Sequence, residues 1–270
     1  MLLCAFSATR CTYCILEYQN HAYENIRHST EDVRDIAGIF PSDRGAMTSS
    51  HTLFDFAALT ARQRYKLLIG TVVPRPIALV TTVDEEGRVN AAPYSFFNCL
   101  SADPAIVALG VENKPDMAFK DTARNIRMTE EFTVNIVSDA LVERMNVCAV
   151  PFPATVDELA QAGLTAVPGS QIKCPRIGEA PASLECRRYV TLELGRSREI
   201  ILGQVVAAHI REDAVDPENH YVDQAAIDAI GRMGGHGYVR TRDYFDLRTM
   251  TAEDWDKAPP PVRTPGPVEA

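Results

Sequence analysis

The chain has 270 residues, 46% hydrophobic side chains and a formal net charge of −9. That length suits one large domain or two small ones with a core of ordinary size. An acidic chain without a basic tract argues against a general nucleic-acid binder, and no run of about 18 apolar residues marks a membrane span.

The opening "MLLCAFSATRC" has a short apolar run and no basic flank, which is a poor secretory signal. Seven cysteines, at positions 4, 11, 14, 99, 148, 174 and 186, form an odd and scattered set. In a chain this long they read as reduced thiols of a cytoplasmic protein, not as a disulfide framework. Cys11 and Cys14 have thiol-pair spacing, but His21 follows too soon for a zinc finger and no βαβ context supports a redox pair. "GIFPSDRGAMTSS" then breaks the chain. Met47 reads as the natural start, with residues 1–46 as a poorly ordered extension.

From Met47 the stretch "TSSHTLFDFAALTARQRYKLLIG" begins with capping residues and continues in a helical pattern. Residues 71–83 read as a strand with an irregular start. "DEEG" is a turn in which Gly87 can take a positive φ, and residues 88–96 return as a second strand. "AIVALGV" (105–111) is a third. Then come a helix at "DTARNIRMT", a strand at 132–138, a helical stretch at 139–150 and a short helix at Asp157–Ala162. Two long strands, "SLECRRYVTLELG" and "EIILGQVVAAHIRE", join through "RSR"; their length suggests a barrel wall or a subunit edge. "DQAAIDAI" is helical and "GRMGGHGYVRTRDYFDL" closes a domain spanning 47–252, followed by a proline-rich tail, 253–270. Strands outweigh helices and run as hairpins, so the predicted fold is mainly β with helices, an antiparallel barrel and not a doubly wound sheet.

The first hairpin is unusual. Pro74 and Pro76 flank Arg75 and cannot donate to a ladder, so the segment belongs at an edge or a barrel break. Its return strand offers Asn90, Ser95 and Asn98 as polar groups, with a further ladder break at Pro93 and apolar surface from Phe96 and Phe97. A flat ring with polar edges, such as a flavin, fits this mixture; an edge strand shielded by prolines accounts for it equally simply.

Taken together, "GTVVPRPIALVTTVDEEGRVNAAPYSFFNCLSADP", "KDTARNI" and "EFTVNIVS" resemble the flavin reductase-like family of FMN-binding split β-barrels. Flavoredoxins and the reductase components of two-component monooxygenases belong to that class. The resemblance runs from about residue 55 to 250, with "SLECR", "ILGQVVAAHI" and "GRMGGHGYVR" in the expected order. It implies a homodimer with FMN near the subunit interface. It also implies that the stretch Asn90, Ala91, Ala92, Pro93, Ser95, Phe96 and Asn98, with Arg75 and Pro76, lines the ring and ribityl chain.

The phosphate of FMN needs cations and N–H donors. Asp121 reads as the N-cap of the following helix, which leaves Lys120 and Thr122 as anion contacts and, by resemblance, Asn125 beside them. A capped surface helix is the plain alternative. Arg75 near the ring edge would stabilise the reduced anionic ring, or it is a structural arginine paired with a carboxylate. "GRMGGHGYVR" lacks the spacing of a dinucleotide fingerprint. By resemblance it lies near the exposed flavin face, which makes Arg232, His236 and Tyr238 candidates for nicotinamide or substrate contact; a glycine turn is the other reading. The sequence therefore points to an FMN-dependent oxidoreductase using NADH or NADPH and passing electrons to free flavin, a partner oxygenase or another acceptor. The alternatives are a flavoredoxin-like carrier and a flavin-binding protein without turnover.

Overall fold

A computed structural model describes residues 51–255, Lys257 and the backbone of 264–265. The expected extension 1–46, the Cys11/Cys14 pair, Met47 and most of the proline-rich tail lie outside the described residues.

The chain from Phe56 onward starts with helix α1, Ala61–Thr71. Thr60 and Gln63 start it by exchanging side-chain and backbone hydrogen bonds, a capping box. Only Ile69 of α1 is buried. The segment expected to be one strand from 71 to 83 is instead the end of α1, a two-residue strand β1 at Arg75–Pro76, and β2 at Ala78–Val83. The prolines explain the division: neither can extend a ladder through its nitrogen.

Strand β3 (Val89–Tyr94) pairs antiparallel with β2 from Ala78↔Tyr94 to Val83↔Val89. In the turn between them the Asp84 carboxylate accepts from the N–H groups of Glu86 and Arg88, and Gly87 has φ +81°. Next come β4 (Phe97–Ala102), β5 (Ala105–Glu112), helix α2 (Asp121–Thr129) and β6 (Glu131–Ile136). Helices α3 (Val142–Val147) and α4 (Glu158–Ala162) follow, then the short pair β7 (Ala166–Val167) and β8 (Arg176–Ile177). The two long strands are β9 (Ala182–Leu194) and β10 (Arg198–Ile210).

Seven strands form one sheet in the order β3-β2-β6-β9-β10-β5-β4, with every pair antiparallel. Its two outer strands, β3 and β4, are consecutive in the chain and joined by Ser95 and Phe96 alone. In a flat sheet they would stand roughly 29 Å apart at about 4.8 Å per strand. Their short link reaches roughly 11 Å. The sheet must therefore curl until its edges meet without pairing, which makes it a split barrel open between β3 and β4. The expected antiparallel split β-barrel is the observed fold.

One apolar cluster fills the barrel, with Val80, Leu109, Phe132, Val134, Cys186 and Ile201 from both halves of the sheet and Ala123 and Ile126 from α2. A second lies outside β2 and β3, where Ile77, Leu79 and Ala91 meet Leu141, Met145 and Leu159 of the segment carrying α3 and α4. β2 is thus buried on both faces, which explains its continuous apolar run. Gly203, at a register shift between β9 and β10, lies where a Cβ would be 2.3 Å from Cζ of the Phe132 ring. The barrel wall must lack a side chain there for Phe132 to fill the interior.

Beyond β10 the chain makes β11 (Val215–Asp216), β12 (Tyr221–Val222), helix α5 (Gln224–Ile227), and the hairpin β13 (Ile230–Arg232) and β14 (Tyr238–Arg240). β13 pairs with β1, setting Arg75 opposite Arg232 and Pro76 opposite Gly231. No helix among the described residues is long and apolar enough to cross a membrane.

Candidate functional site

Two recesses lie along β3. The larger, a cleft of about 260 Å³, opens where β3 ends at the barrel split. Pro93, Tyr94 and Ser95 form one wall, Tyr65 and Ile69 of α1 another, and Met145, Asn146 and Ala149 the floor beyond Ile77. Arg75, Arg232, Gly235 and Tyr238 close the remaining side. The lining mixes apolar, aromatic and polar side chains in a concave groove of the size small-molecule sites use.

Arg75 is 7% exposed. Its Nη1 donates to the carbonyls of Ile69 and Val72 at 2.8 Å each, and Nη2 to that of Met233 at 3.2 Å. This fork ties the end of α1 to the β13–β14 hairpin. Nε is buried with no partner. Burial lowers the proton affinity of Arg75 and the nearby Arg232 charge lowers it further, with Tyr65 opposing. Among the described residues no carboxylate pairs with it, so the structure shows Arg75 held by backbone carbonyls and not by the expected salt bridge. Arg232, half-buried, donates from Nη1 to the Tyr238 hydroxyl and from Nη2 to the Gly235 carbonyl at 2.7 Å.

The smaller recess is a polar dimple of about 10 Å³ near the other end of β3, lined in part by Arg88, Asn90, Arg124, Asn125 and Glu158. The Asn90 amide donates to the Thr122 hydroxyl at 3.0 Å, and the Asn125 amide to Thr82 at 3.1 Å. Thr122 is almost fully buried, with the Tyr94 hydroxyl beside it but in no hydrogen bond of good geometry. Burial pushes Tyr94 up to about 12. Glu158 is buried and accepts from the Ala91 N–H at 3.1 Å; burial raises its proton affinity against that bond.

Asp121 is not the N-cap. Lys120 holds that position with φ −62° and ψ 155°, and makes no side-chain capping bond. Asp121 is the first helical residue, and its carboxylate is held by Lys114 at 3.2 Å and Arg124 at 3.1 Å. Two cations compensate it, so it has no need of the helix N–H groups.

The expected residues therefore divide. Arg75, Pro93, Ser95, Arg232 and Tyr238 meet in the cleft, while Asn90 and Asn125 meet in the dimple. Phe96 stands at the rim, 6.3 Å from the Tyr65 ring. Pro76, Asn98 and His236 are exposed, and Ala92 and Lys120 are half-buried outside both linings. Sequence reasoning missed Tyr65, Ile69, Met145, Asn146 and Ala149 of the cleft and Arg88, Arg124 and Glu158 of the dimple. Arg88 directly precedes β3 in the chain, and the others sit in ordinary stretches that only the fold brings to β3.

The fold and the cleft define a split-barrel protein with a ligand-sized groove at its split. The chain belongs to the flavin reductase-like family: the family model described as "Flavin reductase like domain" matches residues 69–226. This makes it a flavin-related oxidoreductase. An uncharacterized protein of Deinococcus radiodurans is 48% identical over 214 residues, covering 77% of this chain and 94% of the relative. Among solved structures, 2-nitrobenzoate 2-nitroreductase NbaA of Pseudomonas fluorescens is 37% identical, with a TM-score of 0.69 over 74% of this chain and 98% of that one. Nitrilotriacetate monooxygenase component B of Bacillus cereus is 31% identical, with a TM-score of 0.71 over 74% of this chain and 100% of that one.

The residues present fit a flavin. The orphaned Arg75 Nε and the mixed aromatic, apolar and polar lining suit a polar-edged planar group. Asn90 lies near the start of β3 and Ser95 just past its end, five residues on, at most roughly 17 Å at strand rise, which is the reach of a flavin ring with its ribityl phosphate.

Proposed function

We propose that the protein binds FMN along β3 and uses NADH or NADPH to deliver electrons to free flavin, a partner oxygenase or another external acceptor. The observation that carries this reading is the cleft at the barrel split, lined by apolar and polar side chains, three tyrosines and a buried unpaired arginine nitrogen. Bound FMN supplies the hydride and one-electron chemistry. The chain's own part is to bind and orient. Pro93 leaves the edge of β3 open beside Ser95. Arg75 sets a fixed positive charge against the ring edge. Tyr65 and Ile69 of α1 exclude water on one side. Asn90, Thr122 and Asn125 would meet the ribityl chain, and Lys120 the phosphate, with Asp121 already neutralised by Lys114 and Arg124. Arg232, His236 and Tyr238, at the mouth and beyond it, would meet the second substrate.

A homodimer goes with this reading. The outer ends of the long strands expose Tyr189 (59%), Leu192 and Leu194, and the edge strand β4 exposes Leu100 (61%). A second copy would cover such apolar strand surface. A cytoplasmic setting, with NAD(P)H at hand, suits the chemistry. The nitroreductase and the oxygenase component among the similar structures support an acceptor outside the chain.

The competing reading is an electron carrier reduced by another protein. Steady-state oxidation of NADH and NADPH, with FMN bound and free flavin in excess, separates the two. Many turnovers with at least one nucleotide support the reductase; turnover absent with both, in protein that binds FMN, leaves the carrier.

A further inference from the structure

The cleft carries positive charge without matching carboxylates, in a chain of formal net charge −9. Its lining includes Arg75 and Arg232 and no aspartate or glutamate. Elsewhere arginines find acids: Arg88, Arg124, Arg127, Arg188, Arg240 and Arg242 each lie within 3.1 Å of one. The two cleft arginines face each other across the β1–β13 pairing, and their like charges oppose one another. An anion entering the cleft would relieve that opposition.

The two differ in what they can still bind. Arg75 has given three of its five N–H donors to carbonyls, and its buried Nε has no partner. Arg232 has used two of its five N–H donors. Its guanidinium carbon lies 4.5 Å from the Tyr238 ring centroid, so the planar fork is braced before any ligand arrives. A braced guanidinium with free donors suits a carboxylate, and the surrounding Ile69, Met145 and Tyr238 suit an aromatic ring.

We propose that Arg232 selects the second substrate of the cleft, and that this substrate is a planar aromatic acid whose carboxylate pairs with the free donors of Arg232. The proposal rests on the FMN reading, since it concerns what enters beside the flavin. A phosphate of the nicotinamide nucleotide is the other anion that Arg232 could meet.

The test titrates protein saturated with FMN with benzoate and with benzamide, which has the same shape and no charge. Binding is followed by the change in flavin absorbance and by calorimetry. Benzoate should bind at least about tenfold more tightly than benzamide, the worth of one charge-assisted pair. Arg232→Gln should abolish that preference, and Arg232→Lys, which keeps the charge without the fork, should restore part of it. Melting temperature checks that each variant is folded. Equal affinity for the two ligands, or a preference that survives Arg232→Gln, overturns the proposal. So does an Arg232→Gln defect confined to NADPH binding, which would assign the arginine to the nucleotide phosphate. Failure of the FMN reading shows separately, as no flavin bound at the outset. Calorimetry without flavin then decides the arginine on the same criteria.

Discussion

Lys120→Ala should separate FMN from riboflavin. Lys120 is half-buried at the N-cap of α2 and has no ion-pair partner among the described residues. The first N–H groups of α2 have no acceptor within the helix, so an anion here would meet backbone donors and a free ammonium together. Asp121 would repel that anion, but Lys114 and Arg124 already neutralise it. A charge-assisted hydrogen bond is worth about 1.5–3 kcal/mol. Partial exposure of Lys120 favours the lower end, which is about a tenfold loss in FMN affinity. Riboflavin has no phosphate and should bind unchanged. Thr122→Val is a poorer probe. The Thr122 hydroxyl accepts from Asn90 at 3.0 Å inside the protein, so the valine would leave that amide short of an acceptor, cost about 1–2 kcal/mol of stability and weaken both ligands. Flavin fluorescence titration with a melting curve for each variant decides the matter. Equal loss of FMN and riboflavin in Lys120→Ala, or no loss of either, would refute the phosphate assignment.

Gly203→Ala should destabilise the barrel by about 3 kcal/mol, the upper range for overpacking, because the new methyl would meet the fully buried Phe132 ring at 2.3 Å. Chemical denaturation showing a change well under about 1 kcal/mol would contradict the packing described. Burial would raise the Glu185 carboxyl, but the N–H groups of Ser170 and Gln171 together with His209 outweigh it and hold it down at about 2. Its bonds therefore stabilise the fold above the unfolded value of about 4.3, and that contribution is lost as pH falls towards 2. Glu185→Gln should lack this part of the acid limb of stability; an acid limb parallel to wild type would count against it. Sedimentation of the FMN-loaded protein should give a dimer, and a stable loaded monomer would remove the second copy from the account.

The sequence carried the hairpins well, because β2, β3, β9 and β10 have turn residues and apolar runs that only a sheet satisfies. It did not reveal β4. "FNCLSA" is an exposed edge strand with neither alternation nor a continuous apolar run, and its asparagine and aromatic ring suggested ligand contact instead. The helix at 139–150 proved shorter, a 3₁₀ turn at Asp139–Leu141 followed by α3. The cleft was half legible. Arg75, Pro93 and Ser95 announce themselves by breaking strand rules, and Arg232 and Tyr238 by their glycine-rich setting. Tyr65 and Met145 look like any helix residues, and their role follows only from where the barrel opens. Cap identity at α2 was lost for a tertiary reason, since Lys114 lies seven residues upstream of the carboxylate it holds.

The central claim is that the cleft at the barrel split holds FMN and passes electrons from a nicotinamide nucleotide. The visible spectrum of the purified protein with stoichiometric FMN, taken before and after anaerobic addition of NADH and of NADPH, tests it most directly. The account predicts a flavin spectrum perturbed by the protein and bleached by at least one nucleotide faster than FMN in free solution. A spectrum identical to free FMN, with bleaching no faster than without protein, would contradict it.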